Sequence, residues 1–166
     1  MAVRPVLTLP APVLSTPARP VGPVDDEAVT LAQDLLDTMR ASPACVGLAA
    51  PQIGVSRRAF AVDVTGHRKA RSCHGAFVLF DPHVIERADP HLAREGCMSV
   101  PDLTGDVERF GTLVVTGTGV DGGPVVLEVD AFEARAVQHE LDHLHGLLFL
   151  DRVAGPHAVF PRKVYR

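Results

Sequence analysis

Residues 131–147 read AFEARAVQHELDHLHGL. Val137, Leu141, Leu144 and the following Leu148 recur at helical spacing, so the segment is expected to be a helix with one apolar face. Asp130 is placed to cap it, with Glu133 three residues on as in a capping box. Gly146 marks its end. His139-Glu140-Leu141-Asp142-His143 within it is an HExxH pattern. Residues four apart on a helix share a face, so both imidazoles reach one cation. Glu140 sits one step round, where a general base can take a proton from an attacking water without being a ligand. The competing interpretation is a surface helix with scattered histidines.

Two histidines leave a metal site incomplete, because catalytic metals commonly take three protein ligands and keep one position open. Downstream, the donors are His145, Asp151 and His157. His145 lies only two residues past His143 and faces elsewhere on the helix. Upstream, Cys97 sits in Glu95-Gly96-Cys97-Met98-Ser99-Val100-Pro101, which reads as a tight turn, and it is the better candidate. Taken alone, Cys97 reads equally well as a small buried hydrophobe.

Further from the helix, residues 25–40 form a second amphipathic pattern, with Asp25 and Asp26 at its start and Ala28, Leu31, Ala32, Leu35 and Met39 on one face. Ser42 to Gly54 is a loop broken by Pro43 and Pro51. Residues 58–64 and 76–81 read as strands. The basic stretch Gly66 to His74 between them is expected to be a solvated connection, with Cys73 a free thiol. Residues 112–120 and 124–130 form a hairpin around Asp121-Gly122-Gly123. Gly117 and Gly119 lack the helix that a phosphate loop requires. Residues 154–166 contain Pro156 and Pro161 and are expected to hold little regular structure.

The 166 residues suit one domain, taken as 1–166, with an extended Pro-rich arm at 1–24 and a short tail at 154–166. Apolar residues at 46% and charged residues at 22% are close to ordinary globular usage. A net charge of −4 gives no global case for nucleic acid or anionic membrane. No apolar run approaches the roughly 18 residues of a spanning helix. Three cysteines, Cys45, Cys73 and Cys97, do not form an even disulfide framework and fit free thiols in a reducing cytosol. The first acidic residue is Asp25, as in a transit peptide, but prolines at 5, 10, 12, 17, 20 and 23 would break the amphipathic helix such a peptide needs.

Three blocks together resemble the peptide deformylase family. Gly47-Leu48-Ala49-Ala50-Pro51-Gln52 is similar to its loop ending in glutamine. Glu95-Gly96-Cys97-Met98-Ser99 is similar to its cysteine turn, and Gln138 to Gly146 to its HExxH helix. The likeness runs from about Val6 to Val153. It implies an α+β single domain, with antiparallel or mixed sheets packed around a central HExxH helix and a helix near the N-terminus. It implies hydrolysis of the formyl group from formyl-methionine on new polypeptides, with release of formate, in the cytoplasm.

The resemblance also assigns residues. Cys97, His139 and His143 would hold one divalent metal, ferrous iron, with zinc, nickel or cobalt able to substitute. Cys and His donors alone would have pointed to zinc. Glu140 would carry the proton, while the Gln52 amide and the Met98 backbone N–H would stabilise the oxyanion. Val46 and Gly47 would touch substrate, Gly47 by letting its backbone come close. Glu95 and Arg109 either pair to brace the turn or are solvated. Asp142 has a supporting role, and Gln138 packs the helix or orients the site. Three departures stand out. Cys45 replaces the loop's usual first glycine, where it is strained if the backbone needs a positive φ and tolerable if only smallness matters. Met98 stands where leucine is common, and Asp81-Pro82 replaces Asn-Pro without evident consequence. Partners would be formyl-methionyl nascent peptides and, transiently, the ribosome, although the short tail leaves no long terminal helix for that contact. The alternatives are a metallopeptidase and a non-catalytic metal- or nascent-chain-binding protein.

Overall fold

The computed structural model describes residues 2–163. The described residues contain two α-helices, α1 (Asp26–Ala41) and α2 (Ala131–Leu144), four short 3-10 turns, and six strands: β1 (Gly47–Ala49), β2 (Ala59–Val62), β3 (Phe77–Cys97), β4 (Val100–Thr118), β5 (Pro124–Asp130) and β6 (Val159–Pro161). The strands make one antiparallel sheet in the order β1-β2-β3-β4-β5, with β6 added to β4.

Alternation along the strands gives the two faces of the sheet different helices. Ala59 and Ala61 of β2, with Val78 and Phe80 of β3, pack with Leu31, Leu35 and Met39 of α1. Phe60, Val62 and Leu79 point the other way, onto Val137, Leu141 and Leu144 of α2. Buried on both faces, β2 reads as a continuous apolar run. Each Phe or Leu buried this completely contributes about 1.5–3 kcal/mol. Asp25 caps α1 as expected, accepting from the Ala28 N–H at 2.9 Å.

Six expectations need correction. The segment read as a loop at 42–54 contains β1 and a 3-10 turn at Ala50–Ile53. The strand read at 76–81 does not stop at Asp81-Pro82. Irregularities at Phe80/His83 and Val84/Glu86 absorb the proline, and β3 runs on to Cys97. The hairpin at 112–130 is present, but β4 begins far earlier, at Val100. The tail is not irregular: β6 pairs Leu103 with Pro161 and Thr104 with Phe160. The capping box is absent. The Asp130 side chain accepts from Ser72 N instead, and the fully buried Glu133 accepts from Ser72 Oγ and His74 N. These bonds tie the basic loop to the start of α2, where His67 also stacks on Phe132 at 3.8 Å between ring centres. That loop is therefore docked rather than simply solvated.

The N-terminal arm is extended apart from a 3-10 turn at Pro12–Ser15, and it is held. Leu14 is completely buried, and Ala18 N donates to Leu144 O at the end of α2. Asp81 has a consequence that the sequence did not reveal. Its two oxygens accept from Val21 N at 2.8 Å and Gly22 N at 2.9 Å, so each carboxylate oxygen clamps one backbone group of the arm.

Candidate metal centre and catalytic cleft

β3 and β4 form a hairpin turned by Met98 and Ser99. An irregularity at Gly96/Cys97 re-aims the end of β3. Cys97 thereby faces α2, with Leu148 and Phe149 packed against it. The Cys97 Sγ lies 3.4 Å from His143 Nε2. One donor atom each from Cys97, His139 and His143 lies within 4.8 Å of the others. This set of one thiol and two imidazoles suits a four-coordinate divalent cation with one position open.

The fit extends to the groups behind the donors. His139 Nδ1 is 2.9 Å from Glu95 Oε1, which orients the ring and leaves Nε2 toward the thiol. Glu95 is gripped from the other side by Arg109, through Nε at 2.7 Å and Nη2 at 2.9 Å. Arg109 Nη1 reaches Asp142 Oδ2 at 2.7 Å, and Arg152 Nε reaches the same oxygen at 2.8 Å. Glu95 and Arg109 are therefore a buried pair and not solvated charges. Burial opposes the Glu95 charge, yet the bonds from Arg109 and His139 hold its pKa down at about 2. Burial, then the neighbouring His139, push His143 well below its ordinary value, which keeps it neutral and able to donate a lone pair. Burial also works against a proton on His139, but Cys97 and Glu95 outweigh it. A cation would compete with that proton for the same nitrogen.

Glu140 is 4% exposed, and its Oε2 has no hydrogen-bond partner among the described residues. Burial pushes its pKa up to about 7. A carboxyl poised there can both take and give a proton near neutrality. Gly47 faces it across the cleft: a Cβ at Gly47 would fall 2.6 Å from Glu140 Oε1. The missing side chain at position 47 therefore makes room for the carboxylate.

Gln52 is completely enclosed, and its amide has a fixed sense. Oε1 accepts from Ala49 N at 3.0 Å, while Nε2 donates to Ser99 Oγ at 3.1 Å and lies 3.5 Å from Cys97 Sγ. The Ser99 hydroxyl in turn donates to Leu7 O at 2.7 Å. Sequence reading gave Ser99 no role. It stood within a recognised block, but its partner Leu7 lies 92 residues away in a stretch of the arm outside any helix or strand. Met98, Val46, Gly47 and Gln52 border one cleft of about 320 Å³ with Cys97, His139 and Glu140.

Other residues fall where the sequence left alternatives open. Gln138 bonds Phe110 through both backbone groups and also Ala134 O, so it packs α2 to β4. Asp142 braces Arg109 and Arg152. His145 is exposed past the end of α2. The left-handed backbone falls on Ala44, with φ 57°, and not on Cys45. Cys45 Sγ donates to Gly47 O at 3.1 Å, and burial, then the Glu140 charge, push its thiol up to about 12. No helix among the described residues is long and apolar enough to cross a membrane.

Residues 3–158 match the family model described as polypeptide deformylase. The chain is 42% identical to peptide deformylase 1 of Bacillus subtilis, over 93% of this chain and 92% of that protein. It is also 42% identical to the peptide deformylase of Desulforudis audaxviator, over 98% and 99% respectively. Among solved structures, a Met-Ala-Ser-bound peptide deformylase from Acinetobacter baumannii superimposes with a TM-score of 0.82 at 33% identity, covering 92% of this chain and 99% of that one. Sequence, fold and the Cys-His-His cluster agree, and the chain belongs to the polypeptide deformylase family.

Proposed function

We propose that the cleft removes the N-formyl group from formyl-methionine at the start of new polypeptides through Cys97, His139, His143, Glu140, Gln52 and Met98. The observation that carries this assignment is the meeting of a three-donor cluster with a buried carboxyl that has one unsatisfied oxygen. Cys97, His139 and His143 hold one divalent cation, with ferrous iron as the native metal. When bound, the cation acts as a Lewis acid that lowers the pKa of a water and polarises the formyl carbonyl.

Glu140 takes the proton of the attacking water as its oxygen adds to the formyl carbon. The tetrahedral oxyanion is met by the Gln52 Nε2–H, already aimed at Cys97 by the bonds to Ala49 and Ser99, and by the Met98 backbone N–H. Glu140 then delivers its proton to the departing amine. Formate and a free methionyl N-terminus leave. Val46 and Gly47 flank the substrate in the same cleft. Such a substrate places the reaction in the cytoplasm, at or near the ribosome.

A metallopeptidase or a passive metal protein fits less well. A structural site has no need of an enclosed Gln52 held in one sense beside the donors, or of Glu140 with a pKa near 7. The test is formate release from formyl-Met-Ala-Ser by anaerobically purified protein of measured metal content. Formate in step with bound iron or nickel is expected. None from fully loaded protein would refute the assignment.

A further inference from the structure

β6 brings a cation to the cleft that the reaction itself does not use. The Arg94 guanidinium on β3 lies 3.9 Å from the centre of the Phe160 ring on β6, a contact that reaches across the intervening β4. Arg162 N donates to Asp102 O at 2.9 Å, continuing the ladder beyond Pro161. Residues 160 and 162 project from the same face of an extended chain. The Arg162 guanidinium accordingly lies over Gly96, in the space a Cβ there would need, one residue from Cys97. Among the described residues it has no hydrogen-bond or ion-pair partner.

Arg94, Arg135 and Arg162 all border the cleft. Arg94 is already matched by Asp106 at 2.5 Å. Arg135 spends Nη2 on Arg94 O at 2.6 Å, and its buried Nε has no partner. The acids bordering the same cleft, Glu95 and Glu140, are buried at its floor. Outward from Arg135 and Phe132, the surface continues into Arg68, Lys69 and Arg71. The cleft mouth is therefore positive on a chain whose net charge is −4.

We propose that Arg162, with Arg135 beside it, makes the cleft favour formyl-methionyl peptides carrying acidic side chains downstream of the methionine. This rests on the deformylase assignment above. The formyl end enters toward Glu140, so the rest of the peptide leaves across the mouth. A carboxylate there meets a planar fork of donors with no competing acid, whereas a lysine meets like charge. The position is exposed, so the preference is modest and salt-sensitive.

The test compares kcat/KM of the metal-loaded full chain on C-terminally amidated formyl-Met-Ala-Asp-Ser, formyl-Met-Ala-Asn-Ser and formyl-Met-Ala-Lys-Ser. At low salt the Asp peptide is expected to exceed the Lys peptide by about fivefold, chiefly through KM, with Asn between. The ratio shrinks in about 0.5 M NaCl. It falls toward one in Arg162→Gln and largely survives in Arg162→Lys. Equal rates for Asp and Lys peptides in the unaltered chain, or a ratio that Arg162→Gln leaves intact, overturn the proposal while leaving deformylation standing. Failure to release formate from all three peptides would remove the deformylase assignment and this proposal with it.

Discussion

The floor and the mouth of the cleft use charge in opposite ways. At the floor, Arg152, Asp142, Arg109, Glu95 and His139 form one chain of contacts, in which Arg109, Glu95 and Asp142 are shut away from water. At the mouth, Arg94 is exposed and paired, and Arg162 is exposed without a partner. Buried charges hold their positions because each is matched by another, and removing one strands the rest. Exposed charges are screened and replaceable. On the proposed assignment, the floor keeps the metal donors in place and the mouth discriminates weakly among the peptides that cross it.

The contrast breaks most visibly at the donors. Cys97→Ala should lose most bound metal, measured by elemental analysis, and formate release should fall more than about 100-fold. Retained metal would make Cys97 a packing residue. Next comes the brace behind them. Arg109→Ala leaves Glu95 and Asp142 buried without their shared cation, which should cost about 3–5 kcal/mol. A thermal scan should show Tm lower by roughly 10 °C. Arg94→Ala, at the mouth, should move Tm far less, and equal shifts would erase the distinction between the two regions.

Smaller effects are expected between floor and mouth. Ser99→Ala removes the group that fixes the Gln52 amide and ties it to the arm. kcat should fall about three- to tenfold with metal content unchanged and KM little altered. An unaltered kcat would show that Ala49 alone orients Gln52. The smallest effect is expected at Cys45. Its thiol stays protonated at neutral pH, so a maleimide should label the exposed Cys73 and spare Cys45. Cys45→Gly should keep activity within about twofold. Rapid labelling of Cys45 would mean that the cleft is more open at its rim than described.

Much of the floor was legible in the sequence because its parts lie on regular spacing. HExxH on a helix places two donors and a base by helix geometry alone, and the α1 face follows the same rule. The role of Cys97 needed resemblance to a family, since a lone cysteine in a turn carries no spacing signal. The length of β3 was hidden because Asp81-Pro82 reads as a strand end. Only the pairing with β4 shows that the ladder resumes after an irregularity. Glu133 was read as a cap from its offset, but a tertiary contact with Ser72 and His74 won over the local one. β6, Arg162 and the link from Ser99 to Leu7 depend on long-range pairing of segments whose own composition reads as loop.

The central claim is that Glu140 moves the proton beside a cation held by Cys97, His139 and His143. The most direct measurement is formate release from formyl-Met-Ala-Ser by Glu140→Gln and the unaltered chain, each brought to the same measured metal content. Turnover should fall by about 10²–10⁴-fold while metal binding persists. Full turnover in Glu140→Gln at equal metal content would contradict the claim.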